Sequence, residues 1–120
     1  MPKLLISLVS VLTLGACAHM DRMFEEPRAS VYKYLGSKQC SGGGTPLATM
    51  MRQLSDAGIP AMNVNCGTDG RMYPAMCGAA DGRIGIVEVP EAQAAAAVAL
   101  GFAPLSSLPE ASKTVCPKAP

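Results

Sequence analysis

Four cysteines, Cys40, Cys66, Cys77 and Cys116, set the strongest limit on what this chain can fold into. Their state depends on the compartment, and the first residues speak to that. Met1-Pro2-Lys3 supplies one positive charge, and Leu4 to Leu14 is apolar except for Ser7, Ser10 and Thr13. The run matches the core of an export signal and is too short for a bilayer span, which needs roughly 20 apolar residues. In an oxidising compartment, an even number of thiols reads as two disulfides. Three pairings are possible, and spacing alone does not choose among them. A metal site is the alternative, but no C-x₂-C pair occurs and the single histidine, His19, lies outside the expected domain. No metal and no cofactor is expected.

The leader ends in Leu14-Gly15-Ala16-Cys17. This stretch resembles the lipobox of bacterial lipoproteins, in which the cysteine is lipidated and becomes the first residue of the mature chain. The resemblance implies acyl chains on Cys17, palmitate among them, and a stable membrane anchor, since several chains together bury many CH₂ groups at about 0.8 kcal/mol each. In that family an aspartate directly after the cysteine favours the inner membrane. Ala18 stands there, so the resemblance implies the outer membrane, facing the periplasm. Ala16-Cys17-Ala18 also reads as an ordinary cleavage site, which would release a soluble periplasmic or secreted protein.

Either cleavage leaves about 100 residues, enough for one domain with one small core. The chain has ten basic and nine acidic residues. Loss of Lys3 leaves nine against nine, with no basic surplus to hold nucleic-acid phosphates. Nucleic acid is therefore not an expected partner.

Along the chain, Val31 to Leu35 is rich in β-formers. Thr45 and Pro46 can open a helix. Leu47, Met50, Met51 and Leu54 then fall at i, i+3, i+4 and i+7, one apolar stripe, and Gly58 stops it. Ile59 to Cys66 reads as a strand. Arg83 to Val89 reads as the strongest strand, apolar on both faces as a central position requires. Pro90 opens a second, alanine-rich helix that ends at Gly101, and Phe102 to Leu108 is a weaker last strand. The order predicts an α+β fold, a small ferredoxin-like β-α-β-β-α-β sandwich with two helices on one face of an antiparallel sheet, stabilised by disulfides. The expected organisation is a signal peptide over 1–16, a tether over 17–30, the α+β domain over 31–109 and a C-terminal tail over 110–120.

The connection between the two halves nearly repeats itself: Cys66-Gly67 then Asp69-Gly70-Arg71, and Cys77-Gly78 then Asp81-Gly82-Arg83. Asp-Gly tolerates positive φ, so two tight turns are expected. A Cys66–Cys77 bond would staple the base of this loop, Cys40–Cys66 and Cys40–Cys77 remain open, and Cys116 would tie down the tail. Arg71 and Arg83 could present two guanidinium forks to an anion, with Tyr73 and Met72 adding apolar contact. Arg71, Tyr73 and Arg83 are the candidate binding residues. Nothing assembles a catalytic site, because the carboxylates are scattered and no base is held beside a nucleophile. The expected role is non-enzymatic: binding or scaffolding of an envelope component through a sheet face or this loop. A module for a glycan or small anionic envelope molecule, and metal or redox handling resting on the cysteines and methionines, are the alternatives.

Overall fold

The computed structural model describes residues 26–116. The expected signal peptide, the lipidation of Cys17 and most of the tether lie outside the described residues. Five strands form one antiparallel sheet: β1 (Arg28–Tyr34), β2 (Met62–Thr68), β3 (Arg83–Pro90), β4 (Ala103–Pro104) and β5 (Ser112–Thr114). Their spatial order is β4-β1-β3-β2-β5. Helix α1 spans Leu47–Asp56 and helix α2 spans Ala94–Ala99, the latter after a 3₁₀ turn at Glu91–Gln93. The fold is thus α+β with two helices and an antiparallel sheet, as the sequence order predicts. Among the described residues, no helix is long and apolar enough to cross a membrane.

Strand β3 is central, between β1 and β2, and its residues alternate between two cores. Val87 and Val89 join Val31 of β1, Met50 and Leu54 of α1, and Ala97 of α2 in one buried cluster with Ile59 and Phe102. Both helices therefore cover the same face. The two helices stop identically. Gly58 and Gly101 take φ of 74° and 98°. Their N–H groups bond to Ser55 and Val98, while the next residues, Ile59 and Phe102, bond back to Leu54 and Ala97. These are paired Schellman ends, which satisfy the last carbonyls and turn the apolar residue after glycine into the core. Lys33 of β1 reinforces this face. Its ammonium donates to the Leu100 carbonyl at the end of α2 and to Gln53 of α1, both at 3.0 Å, and lies 5.3 Å from the centre of the Phe102 ring.

The opposite face of the sheet departs from expectation. Ile84, Ile86 and Tyr32 point there and are covered by Leu108, with Ala103, Leu105 and Ala111 packed around them. Among the described residues this face is covered where Ile84 and Ile86 lie, because the segment after β4 folds across it. Residues 110–120, expected as a tail, instead supply β5, which pairs with β2 through Cys66–Thr114, Gly67–Lys113 and Thr68–Ser112. Three exposed polar residues, Ser112 to Thr114, carry no hydrophobic signal, so this edge strand has no periodicity by which to be seen. Other boundaries also move. β1 begins at Arg28, inside the expected tether, and pairs with β3 from its first residue. The last strand shrinks to two residues at Pro104, which has no N–H to extend the ladder. Pro46, not Thr45, occupies the cap position of α1, and it makes no side-chain cap bond. The Thr45 N–H instead reaches back to the Leu35 carbonyl at 2.7 Å.

Candidate functional site

The two disulfides are Cys40–Cys77 and Cys66–Cys116, with Cα separations of 5.1 and 5.0 Å. The Cys66–Cys77 staple expected from sequence does not form. Cys66 lies within β2, between Gly85 of β3 and Thr114 of the edge strand β5, within reach of the chain leaving β5. Cys116 arrives there. Cys77 sits far out on the connection and meets Cys40 from the first loop. The Cys40–Cys77 alternative is the one that occurs, and Cys116 does tie down the C-terminal segment.

Cys40–Cys77 makes the loop 36–44 and the connection 69–82 into one platform. Lys38 forms antiparallel bridges with both Gly42 and Ala80. Between them, Gln39 is the organising residue, and sequence reasoning missed it. Its N–H donates to the Ala79 carbonyl at 2.8 Å, and its carbonyl accepts the Gly78 N–H at 3.0 Å. Its side-chain amide donates to the carbonyls of Pro74 at 2.9 Å and Ala80 at 3.2 Å, and accepts the Met76 N–H at 3.0 Å. A lone glutamine in a Gly/Ser loop gives no signal of such a role, because its partners are backbone groups about 35 to 41 residues away.

The repeated sequence is a repeated turn. Asp69 Oδ1 accepts the Arg71 N–H at 2.9 Å, and Asp81 Oδ1 accepts the Arg83 N–H at 3.0 Å. Each is an Asx turn, with the intervening Gly70 and Gly82 at φ 77° and 73°. The Asp69 N–H further donates to the Gly82 carbonyl at 2.9 Å, so the two turns are bonded to each other. Gly82 is required twice over. Besides its φ, a Cβ there would stand 2.6 Å from the Tyr73 ring and 2.7 Å from Asp69 Oδ1.

Environment then separates the two aspartates. Asp69 is only 2% exposed. Its Oδ2 accepts the Tyr34 hydroxyl at 3.0 Å and the Tyr73 hydroxyl in a short bond. Burial alone would raise the Asp69 pKa. The bonds from Tyr73, the Arg71 N–H and Tyr34, with the Arg71 charge, outweigh it and hold the carboxyl below its ordinary value. The same contacts act oppositely on the phenols. Burial and the Asp69 carboxylate push Tyr34 up to about 12. The hydrogen bond to Asp69, then burial, raises Tyr73 as well. Asp81 is only partly buried and pairs with the Arg83 guanidinium at 3.6 Å.

The three candidate binding residues thus have different partners. Tyr73 is half-buried and spends its hydroxyl on Asp69. Arg71 is exposed, and its charge acts on the Asp69 cluster. Arg83 is held by Asp81 and lines a cleft on the helix-bearing face. Of the apolar contacts expected on this loop, Met72 is the one the platform exposes, at 99%, with Met76 beside it in sequence at 60%. Glu88, the carboxylate in the most apolar strand, is half-buried and takes a short hydrogen bond from the Asn63 amide and an ion pair with Arg28 at 3.8 Å. No protein-family model, no curated protein and no solved structure matches this chain.

Proposed function

We propose that this is a small lipid-anchored protein of the bacterial cell envelope that binds a partner without catalysis, and that the two-loop platform is its contact surface. The carrying observation is Met72, a large apolar side chain fully in water on a frame closed by a disulfide, two bridges and the five bonds of Gln39. A stiff frame loses little entropy on binding, and methionine is enriched at protein interfaces. An envelope protein fits better than a glycan, since the one platform tyrosine has its hydroxyl and part of its ring committed to Asp69 and Gly82. Strand order β4-β1-β3-β2 with both helices on one face supports reading the core as a ferredoxin-like β-α-β-β-α-β sandwich, with β5 added at its edge.

Anchoring at Cys17 agrees with the layout. β1 starts at Arg28, and the 11 residues from Cys17 reach at most about 40 Å. β1 then runs away from that entry, and the platform follows its far end. A tethered domain can therefore offer the platform away from the lipid surface. Cys17→Ser is expected to move the protein from the membrane to the soluble envelope fraction; continued sedimentation with membranes would contradict the anchor. For the platform, a photo-crosslinking residue placed at Met72 is expected to capture a discrete envelope protein in cells. The same residue at Ala96, exposed on α2, serves as control. Equal capture from both positions, or none from Met72, would overturn the contact assignment.

A further inference from the structure

We propose that the cleft beside the Cys66–Cys116 disulfide is a second binding site, one that takes a carboxylate borne on a short apolar chain. Strand register builds the floor. On the helix-bearing face, Arg83 is opposite Thr68, which is opposite Ser112, and the Leu35 N–H bonds to the Arg83 carbonyl. The neighbouring row runs Gly85, Cys66 and Thr114. Helix α1 begins over Gly85, where Leu47 would stand 2.7 Å from a Cβ. The row beyond it has no helix above. β5 widens the sheet on the far side, and the result is a cleft of about 350 Å³ with no helix residue in its lining. That volume is within the usual range for a small-molecule site, about 300–1,000 Å³.

The lining fixes the ligand chemistry. Leu35, Val115 and the cystine are apolar, Thr68 and Thr114 offer hydroxyls, and Arg83 is the ionisable side chain among the described residues of the lining. Asp81 approaches the guanidinium at Nε, 3.6 Å away, and orients it. The two terminal nitrogens have no partner among the described residues, and their planar fork matches a carboxylate. Its guanidinium suits a carboxylate monoanion. Val115 is 93% exposed at the rim, so an apolar chain entering the cleft would cover a side chain now in water. The disulfide holds the β5 wall in place, so the cleft needs little reorganisation to accept a ligand. Two sources share this chemistry, a short fatty acid and the carboxyl terminus of a small peptide.

The site is independent of the platform, and its test can fail separately. The full chain would be titrated with hexanoate, with N-acetyl-alanyl-alanine and with neutral hexanamide, followed by calorimetry. Saturable binding of at least one carboxylate is expected, at least tenfold tighter than the amide; the tighter carboxylate identifies the source. Arg83→Gln should weaken carboxylate binding at least tenfold. Val115→Asp, at an exposed position that leaves the fold intact, should weaken it by a similar factor through charge repulsion. Ala96→Ser, exposed on α2, should leave carboxylate binding unchanged. Absence of saturable carboxylate binding, equal binding of hexanamide, or full retention in both Arg83→Gln and Val115→Asp would overturn the proposal.

Discussion

Replacing Cys66 and Cys116 together by alanine is expected to remove about 4 kcal/mol of stability, the largest loss of any change considered for this chain. The bond closes a segment with a sequence separation of 50. In the chain-entropy view, a loop of that length restricts the unfolded state by about this amount. A domain of this size has roughly 5–15 kcal/mol in all. The local effect adds to the global one. β5 is three exposed residues with no apolar contact of its own, and Cys116 is what returns the chain to β2. Without it, the segment covering Ile84 and Ile86 is expected to loosen. Urea unfolding of the double variant against wild type, both with Cys40–Cys77 intact, measures the loss. A midpoint within error of wild type would show that β5 and the cover stand without the bond.

Asp69→Ala is expected to cost about 3 kcal/mol, which lowers the melting temperature by at least about 12 °C in a domain of this length. The change leaves the Tyr34 and Tyr73 hydroxyls and the Arg71 N–H without their acceptor at one buried point. The backbone bond from residue 69 to the Gly82 carbonyl survives, but the first Asx turn loses its acceptor and the connection to the platform loses its inner side-chain support. The pH dependence carries the same signature. The folded-state pKa of Asp69 lies below its ordinary value of 3.8. The carboxylate therefore stabilises the fold fully above that value, and its contribution is lost as pH falls below about 4 and on through the depressed folded pKa. At the alkaline end Tyr34 is raised, from 10.0 to about 12. Its contribution is present below pH 10 and is lost as pH climbs toward 12. Asp69→Asn should flatten the acid limb of a melting-temperature profile while keeping side-chain volume. A variant profile parallel to wild type between pH 5 and 2 would remove Asp69 from this role.

What was legible in the sequence was whatever repeats with a short period or stops at glycine. The stripe Leu47, Met50, Met51, Leu54 announced α1, and the doubly apolar Arg83–Val89 run announced a central strand. Gly58 and Gly101 marked two helix ends that prove to be the same hydrogen-bonded motif. Asp-Gly marked two turns that prove to be the same Asx turn. What was illegible depends on partners distant in sequence. Nothing local to Ser112-Lys113-Thr114 says strand; the outer edge of β2 says it. Without β5, Cys116 had no reason to reach Cys66, and the nearer Cys77 looked like the natural partner. The candidate site followed the same pattern. Arginines stand out in a sequence and were singled out, whereas Gln39 acts through backbone groups and Asp69 through two tyrosines of different segments. Of the two arginines, Arg71 lies in the connection and Arg83 is the first residue of β3, and their side chains serve different neighbours.

The pairing of cysteines has a consequence for biogenesis. Loop-closure entropy favours contacts between near neighbours, so in the unfolded chain under oxidising conditions Cys66 and Cys77 meet more often than either meets its native partner. That encounter yields a bond the folded protein does not contain. It also consumes one cysteine from each native pair, since Cys77 belongs to the bond with Cys40 and Cys66 to the bond with Cys116. Oxidation alone therefore traps part of the population. Escape requires a thiolate to attack the misplaced bond through a mixed disulfide, which takes minutes to hours unaided. The yield of folded protein under oxidation is then governed by disulfide isomerisation rather than by the supply of oxidant.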